Sequence, residues 1–286
     1  MSAPTSITVF TRHSRGGETG RGLRRLAELA HAAGVTLRVP PDEVAKHDLE
    51  PLPGVELGAD PDGPTDLAVA LGGDGTILAA LRHYAGRGVP VFAINFGAIG
   101  FLSTVERDGL DGAIERALRG EFDVLPLPAL QVSTSAGPWL GVNDVSFHRR
   151  PDLRVAKLSY AVLGEQVGEV RCDGLVIATP AGSTGYNLAN GGPVMAWGVE
   201  GYVVSFIAPH TLSARALVVA PDDLLQVMNK STEEPVDVTT DGRTVCTLGP
   251  LEQVEVRFCH DMALLAQVAG ASFYHRLRDK FGRLSR

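Results

Sequence analysis

Residues 66–78 read Asp-Leu-Ala-Val-Ala-Leu-Gly-Gly-Asp-Gly-Thr-Ile-Leu, and they hold the first side chains whose types and spacing could do chemistry. The apolar run Leu67–Leu71 has the length of a buried strand. Gly72, Gly73 and Gly75 then surround Asp74, and Thr76 stands where a helix N-cap is expected, ahead of Ile77 and Leu78. A strand, a glycine turn and a helix start together make a phosphate cradle. Residues without side chains let backbone N–H groups approach an anion, and the helix N-terminus adds positive potential. Asp74 is out of place in a site that only binds an anion. It points to a carboxylate that takes a proton from a hydroxyl, holds a metal ion, or both. The plainer alternative is a tight strand-to-helix turn that happens to carry an aspartate. No G-x-x-x-x-G-K-[ST] occurs, and the lysines are only Lys46, Lys157, Lys230 and Lys280, which disfavours a Walker-type nucleotide fold.

A second group of chemical residues lies a hundred positions downstream. Asp173 to Asn187 reads DGLVIATPAGSTGYN: a buried strand enters a loop with hydroxyls, glycines, a tyrosine and an asparagine. Such a loop offers the backbone N–H groups, hydroxyls and aromatic face that a ribose, a phosphate and a base require. A hydroxyl-rich surface loop is the alternative. Asn143-Asp144 pairs an amide with a carboxylate able to bind a sugar diol, though Asn and Asp also dominate turns. His210, in Pro209–Arg215, braces its loop as readily as it acts in catalysis and is assigned no catalytic role. Asp241-Gly242-Arg243 is most simply a hairpin turn.

The elements that must position these groups alternate in type through the first part of the chain. Ile7–Phe10, Thr36–Val39, Leu67–Leu71 and Val89–Asn95 read as strands. Helical spacing recurs at Leu23, Leu26, Ala27 and Ala30, after Thr76, and at Leu110, Ile114 and Leu118. This order predicts a doubly wound parallel sheet, an α/β domain over residues 1–121, whose ligands bind beyond the strands' C-terminal ends. Arg12–Arg21, with its glycines, reads as a solvated loop that could alternatively help hold phosphates. Residues 40–65 show no clear period and read as a variable loop. From Phe122 the pattern becomes closely spaced short strands, predicting a β-rich domain over 122–270 with a hairpin turn at Leu163-Gly164-Glu165. Residues 271–286 read as a C-terminal helix packing back on the core. Its apolar stripe is Phe273, Leu277, Phe281 and Leu284, and Arg276, Arg278, Lys280 and Arg283 form a solvated charged face.

Composition narrows the function classes. The chain has 286 residues, 44% of them hydrophobic, and a formal net charge of −7, which argues against nucleic-acid or anionic-membrane binding. No run of 18 apolar residues and no signal-peptide pattern is visible. Cys172, Cys246 and Cys259 are odd in number and far apart, which fits a reduced, cytoplasmic protein. The scattered histidines suggest no metal cage built by the protein alone.

Taken in order, Leu71–Thr76 (LGGDGT), Asn95–Leu102 (NFGAIGFL), Asn143-Asp144, Asp173–Leu188, Gly191–Pro193, Pro209–Arg215 (PHTLSAR) and Asp241-Gly242 resemble the NAD kinase family. The GGDG turn alone is shared with diacylglycerol and sphingosine kinases; the long second-domain loop points to NAD kinases. Asp144 replaces a usual glutamate, Ala181 a common threonine, Gly185 a common alanine, Ala216 a usual proline and Arg243 a frequent glutamine, and Lys157 lies where some members carry histidine. The resemblance implies transfer of a phosphoryl group from ATP or polyphosphate, with Mg²⁺, to the 2′-hydroxyl of the adenosine ribose of NAD. It implies Asp74 as proton acceptor and Gly72, Gly73, Gly75, Thr76, Asn95 and Gly97 on the phosphate side. Asp74, Gly75, Asn143, Asp144, Lys157, Arg171, Asp173 and Ala181 would contact NAD. So would Thr184, Gly185, Tyr186, Asn187, Leu188, Ala189 and Arg243. It further implies a homodimer or homotetramer whose NAD site borrows residues from a neighbouring subunit. A lipid kinase of the diacylglycerol type predicts an apolar acceptor cleft, against which the polar loop Thr179–Asn187 speaks. A dinucleotide-binding regulator without chemistry would gain nothing from Asp74 inside an anion turn.

Overall fold

The structure is a computed structural model that describes residues 2–12, 17–97, 100–103, 105–106, 109–151, 153–268, 270 and 272–282. The chain divides into two compact units, residues 1–126 with 263–286, and residues 127–262.

The first unit opens with β1 (Ser6–Thr11), α1 (Glu18–Ala32), β2 (Thr36–Val39), α2 (Pro41–His47), β3 (Val55–Leu57), β4 (Leu67–Gly72) and α3 (Asp74–His83). It continues through β5 (Pro90–Asn95), β6 (Val105–Glu106) and α4 (Leu110–Leu118). Strands β5, β4, β1, β2 and β3 lie side by side in that order, all parallel. The period of two sorts their side chains. Leu67, Val69 and Leu71 of β4 share a core with Leu23 and Leu26 of α1 and with Ile114 and Leu118 of α4. The intervening Ala68 and Ala70 are fully buried, and α3 packs against β4 and β5. Helices on both faces of a parallel sheet are the predicted arrangement.

The local readings differ at three places. Residues 40–65 are not all loop: α2 starts with a proline at its first turn, where a missing N–H costs nothing, and has Asp42 and Glu43 beside that end. Helix α1 begins at Glu18, inside the stretch read as a loop, while His13–Gly16 lie outside the described residues. Thr76 is not an N-cap. Gly73 is extended, with φ −93° and ψ −174°, so α3 begins at Asp74 and Thr76 falls in its first turn.

The second unit is antiparallel. Its strands begin with β7 (Asp123–Thr134, entering from the first unit), β8 (Gly137–Gly141), β9 (Asp144–Arg149), β10 (Ala156–Val162), β11 (Glu165–Cys172) and β12 (Gly174–Ala178). After a one-turn 3₁₀ segment (Gly182–Thr184) and α5 (Tyr186–Ala189) come β13 (Tyr202–Ile207), β14 (Leu217–Val219), β15 (Leu225–Asn229), β16 (Val236–Thr240) and β17 (Arg243–Leu248). The long strand β18 (Gln253–Gln267) follows, and Leu264–Ala266 of it pair in parallel with β5 in the first unit's sheet. Strands β14, β13, β12, β9, β16 and β17 form one sheet, and β11, β10, β15 and β18 follow one another in a second. Phe147, Leu175 and Ile177 of the one share a core with Leu158, Val227 and Val256 of the other. Leu163 and Gly164 both have positive φ, 52° and 81°, as a two-residue hairpin turn needs.

The last element is α6 (Phe273–Phe281), N-capped by the Ser272 hydroxyl, which accepts the His275 N–H at 3.1 Å. Its polar residues are not all solvated. Arg276 is buried, at 9% exposure, and donates to the Phe101 carbonyl. Arg283 and Leu284 lie outside the described residues.

Candidate functional site

In the first unit the two glycine-rich turns dock at the C-terminal ends of β4 and β5. The Phe96 N–H donates to the Gly72 carbonyl at 3.1 Å, and the buried Asn95 side chain accepts the Gly97 N–H at 2.9 Å. A Cβ on Gly97 would sit 3.4 Å from the Gly73 Cα, so the backbones meet closely. Gly72 is glycine because a Cβ there would run into the Thr76 side chain. Above these turns is a cleft of about 480 Å³ walled by Gly73, Asp74, Gly75, Thr76, Gly97 and Gly100, with Arg12 and Lys280 completing it. The first turn of α3 ends in this cleft, so helix-dipole and backbone potential there is positive.

Asp74 is held, not free to swing. One carboxylate oxygen accepts the Phe101 N–H at 2.8 Å and the other the Leu102 N–H at 3.1 Å. Helix α6 holds the segment that holds Asp74. The Arg276 guanidinium donates to the Phe101 carbonyl at 2.5 Å, and Phe281 packs 6.3 Å from the Phe101 ring. Burial pushes the Arg276 group down to about 10, opposed by the Asp74 charge.

The second unit assembles its own polar site at one end of its six-stranded sheet. Asp144 begins β9 and Asn143 precedes it, and the backbone N–H groups of Val142, Asn143 and Asp144 all donate to the Asp241 carboxylate, at 3.1, 2.8 and 3.2 Å. Asp241 is a hairpin residue with φ 47°, as its turn sequence implies; its reach to β9 is what the sequence reading lacked. Burial, then the Asp241 charge, push the Asp144 carboxyl up to about 7. The Tyr186 ring stacks on His148 at 5.7 Å. Burial, then the Asp144 and Asp173 charges, raise the Tyr186 phenol; the two carboxylates stand at opposite ends of the β9–β12 pairing, in which Asp144 faces Ala178 and His148 faces Gly174. Asp173 pairs with Arg149 at 2.5 Å.

The hydroxyls of the loop after β12 mostly brace the loop itself. The Thr179 hydroxyl donates to the Val142 carbonyl at 2.7 Å and accepts the Gly182 N–H at 3.1 Å. The Ser183 hydroxyl donates to the Pro180 carbonyl and accepts the Met195 N–H. Thr184 donates to the Ala181 carbonyl. Asn187 is fully buried, and its amide nitrogen serves the Ser183 and Pro193 carbonyls. What the loop presents outward is Gly185, Tyr186 and Ala189, with Leu188 half-buried and Ala181 buried. The Asn143 Oδ1 and Asn187 Oδ1 atoms are buried without a hydrogen-bond partner among the described residues, the condition of acceptors that await a donor.

Lys157 and Arg171 are cross-strand partners on β10 and β11 and wall a different cleft, of about 600 Å³, with Arg154, Lys230 and Ser231. Lys157 pairs there with Glu169 at 2.8 Å. Asn143, Asp144 and Tyr186 are not among its walls. Arg243 opens β17, exposed, beside Asp241. Lys280 and the amides of Phe101 and Leu102 are the groups at the Asp74 cleft that the sequence reading did not assign; Arg12 opens the stretch it read as a solvated loop and, alternatively, as one that helps hold phosphates. The scarcity of lysine was the signal available for Lys280.

Comparison with known proteins agrees with this geometry. Residues 55–122 match the model of the ATP-NAD kinase N-terminal domain and residues 142–268 that of the ATP-NAD kinase C-terminal domain. The chain is 37% identical over 227 residues to an NAD kinase of Gemmatimonas aurantiaca, covering 77% of this chain and 78% of the relative. It is 32% identical over 268 residues to an NAD kinase of Syntrophotalea carbinolica, covering 92% and 89%. Its fold is similar to yeast NADH kinase complexed with NADH, with a TM-score of 0.84 at 23% identity over 98% of this chain and 88% of that one. It is also similar to an NAD kinase from Archaeoglobus fulgidus in complex with ATP, with a TM-score of 0.73 at 23% identity over 98% of both chains. With a glycine-turn carboxylate in one unit, a polar dinucleotide-type loop in the other and close relatives along most of its length, this chain belongs to the NAD kinase family.

Proposed function

We propose that Asp74 is the proton acceptor when this kinase phosphorylates NAD. The observation that carries this is a carboxylate fixed by two backbone N–H groups at a helix N-terminus, inside a cleft otherwise built to receive an anion. The acceptor oxygen is the 2′-hydroxyl of the adenosine ribose. As it forms its bond to the terminal phosphorus of the donor, the bond from that phosphorus to the bridging oxygen breaks. The shortened polyphosphate, ADP when the donor is ATP, leaves, and the hydroxyl proton passes to Asp74. Little covalent work falls to the protein, so positioning and charge neutralisation dominate.

In the second unit, Asn143, Asp144, Tyr186 and the backbone around Gly185 hold the adenosine. The unpaired Asn143 Oδ1 supports this reading, since a ribose or an exocyclic amine supplies the missing donor. Lys157 and Arg171, in their separate basic cleft, fit a contact to the pyrophosphate side of a neighbouring copy's NAD, so the working form is a homodimer or homotetramer. Mg²⁺ suits the first cleft: Asp74 is its carboxylate, and no group of three histidine, cysteine, aspartate or glutamate side chains gathers among the described residues to cage a metal. The ion would travel on the donor's phosphates, where it offsets their charge.

The test is direct. The pure protein with NAD, Mg²⁺ and either ATP or polyphosphate should form NADP, and 2′-deoxy-NAD should accept no phosphate. Asp74→Asn should still bind NAD, while kcat falls by at least about a hundredfold, the usual worth of general-base help. Near-normal kcat in that variant would leave positioning alone as the mechanism.

A further inference from the structure

A phosphoryl donor brings several negative charges, and the fold families that bind one with a Walker loop meet them with a lysine in the loop itself. The glycine turn here has none. The cleft above it nevertheless has two cations in its walls, Arg12 at the end of β1 and Lys280 near the end of α6. They come from opposite ends of the chain, and both are held from behind. The Arg12 N–H donates to the Leu71 carbonyl at 3.0 Å. Thr11 before it is clamped by buried Glu43, which accepts the Thr11 N–H at 3.1 Å and pairs with Lys46 at 2.7 Å.

Lys280 is fixed in a different way. Its ammonium lies 4.3 Å from the centroid of the Phe101 ring, a cation–π contact that places the charge beside the segment holding Asp74. Among the described residues no carboxylate forms an ion pair with it, whereas Lys46 and Lys157 are each paired. Arg276 lies one helical turn earlier on the same face and anchors that turn on the Phe101 carbonyl. The side chain is therefore preorganised beside the turn, and little rotamer freedom remains to be lost when an anion arrives.

We propose that Lys280 binds the donor's phosphates, its ammonium and the Arg12 guanidinium supplying over the Gly72–Thr76 turn the charge that a Walker lysine supplies elsewhere. The proposal rests on the reading of this cleft as the donor side. It separates the tasks of the two α6 cations: Arg276 supports the segment that holds Asp74, and Lys280 meets the donor.

The experiment compares wild type with Lys280→Met, which keeps an unbranched side chain of similar length and loses the charge, and Lys280→Arg, which keeps the charge. Arg12→Gln is the independent second variant. Binding of the non-hydrolysable β,γ-imido analogue of ATP with Mg²⁺, binding of NAD alone, and steady-state kinetics in each substrate are measured. Losing one charge-assisted contact should weaken analogue binding and kcat/KM for ATP by roughly ten- to a hundredfold. NAD affinity should stay within about twofold and the melting temperature near wild type, and Lys280→Arg should recover most of the loss. Unchanged analogue binding in both Lys280→Met and Arg12→Gln would overturn the proposal. So would an equal loss of NAD affinity, or a Lys280→Arg no better than Lys280→Met, since either marks a structural role. A wild type that binds the analogue through Lys280 and makes no NADP would refute the reaction reading and leave this assignment standing.

Discussion

Gly100→Ala is the sharpest probe of how Asp74 is held. Gly100 has no positive φ, so alanine there carries no backbone strain, and whatever follows comes from one methyl group. That methyl would overlap the Asp74 carboxylate, coming 2.7 Å from Oδ2 and closer still to Oδ1. To restore the 3.4 Å at which ordinary contact begins, Oδ2 must retreat by about 0.7 Å, and Oδ1 by more. A retreat of that size takes the carboxylate off the Phe101 and Leu102 amides. A misplacement on the order of 1 Å costs about a hundredfold in a rate that depends on positioning. Stability should fall by no more than about 1–3 kcal/mol, because the displaced carboxylate can still reach water. The assay is NADP formation under saturating substrates, with NAD binding and thermal melting in parallel. Gly112→Ala is the control: it adds the same methyl to α4, where nothing lies within 4 Å, and should stabilise by about 0.5–1 kcal/mol. A Gly100→Ala enzyme with kcat within a factor of about three of wild type would refute the claim that the amide pair places Asp74 for chemistry.

Two further outcomes follow from the second unit. The folded Asp144 carboxyl holds its proton to about 7 against an ordinary 3.8, so the unfolded chain gives the proton up first. Its contribution to stability is therefore complete below the lower value and lost as pH rises through the upper one. Asp144→Asn, which mimics the protonated form, should lose less stability than wild type between pH about 5 and about 8 in denaturant titrations; equal losses would contradict the assignment. Ser183→Ala removes a buried hydroxyl that serves both the Pro180 carbonyl and the Met195 N–H, and should cost about 1–3 kcal/mol and several degrees of melting temperature. A melting temperature equal to wild type would show that the loop closes without it.

The sheet of the first unit was legible because β4 and β5 are short apolar runs that stop at glycine-rich turns, and because α1 and α4 keep a helical period. Helix α2 escaped because seven residues carry too little periodicity, although its prolines and acidic first turn mark the start. Thr76 was misplaced because a glycine N-cap leaves no side-chain signature. In the loop after β12, residue types suitable for a ligand proved equally suitable for bracing the loop, and composition cannot divide Thr179, Ser183 and Asn187 between those uses. Arg12 and Lys280 were unreadable as partners because tertiary docking brings them together. The stripe of α6 indicates which face is buried, not which cation at its edge reaches a cleft.

The Asp241 carboxylate gathers three amides that precede it by 97 to 99 positions. Closing so long a span is entropically costly and slow, and it brings reward only once the β16–β17 hairpin has paired with β9. The Asn143-Asp144 corner is thus among the last parts of its unit to become native during refolding. A ligand seated there would bind only the native arrangement, so substrate supply would add to the stability of the folded enzyme as well as to its rate of turnover.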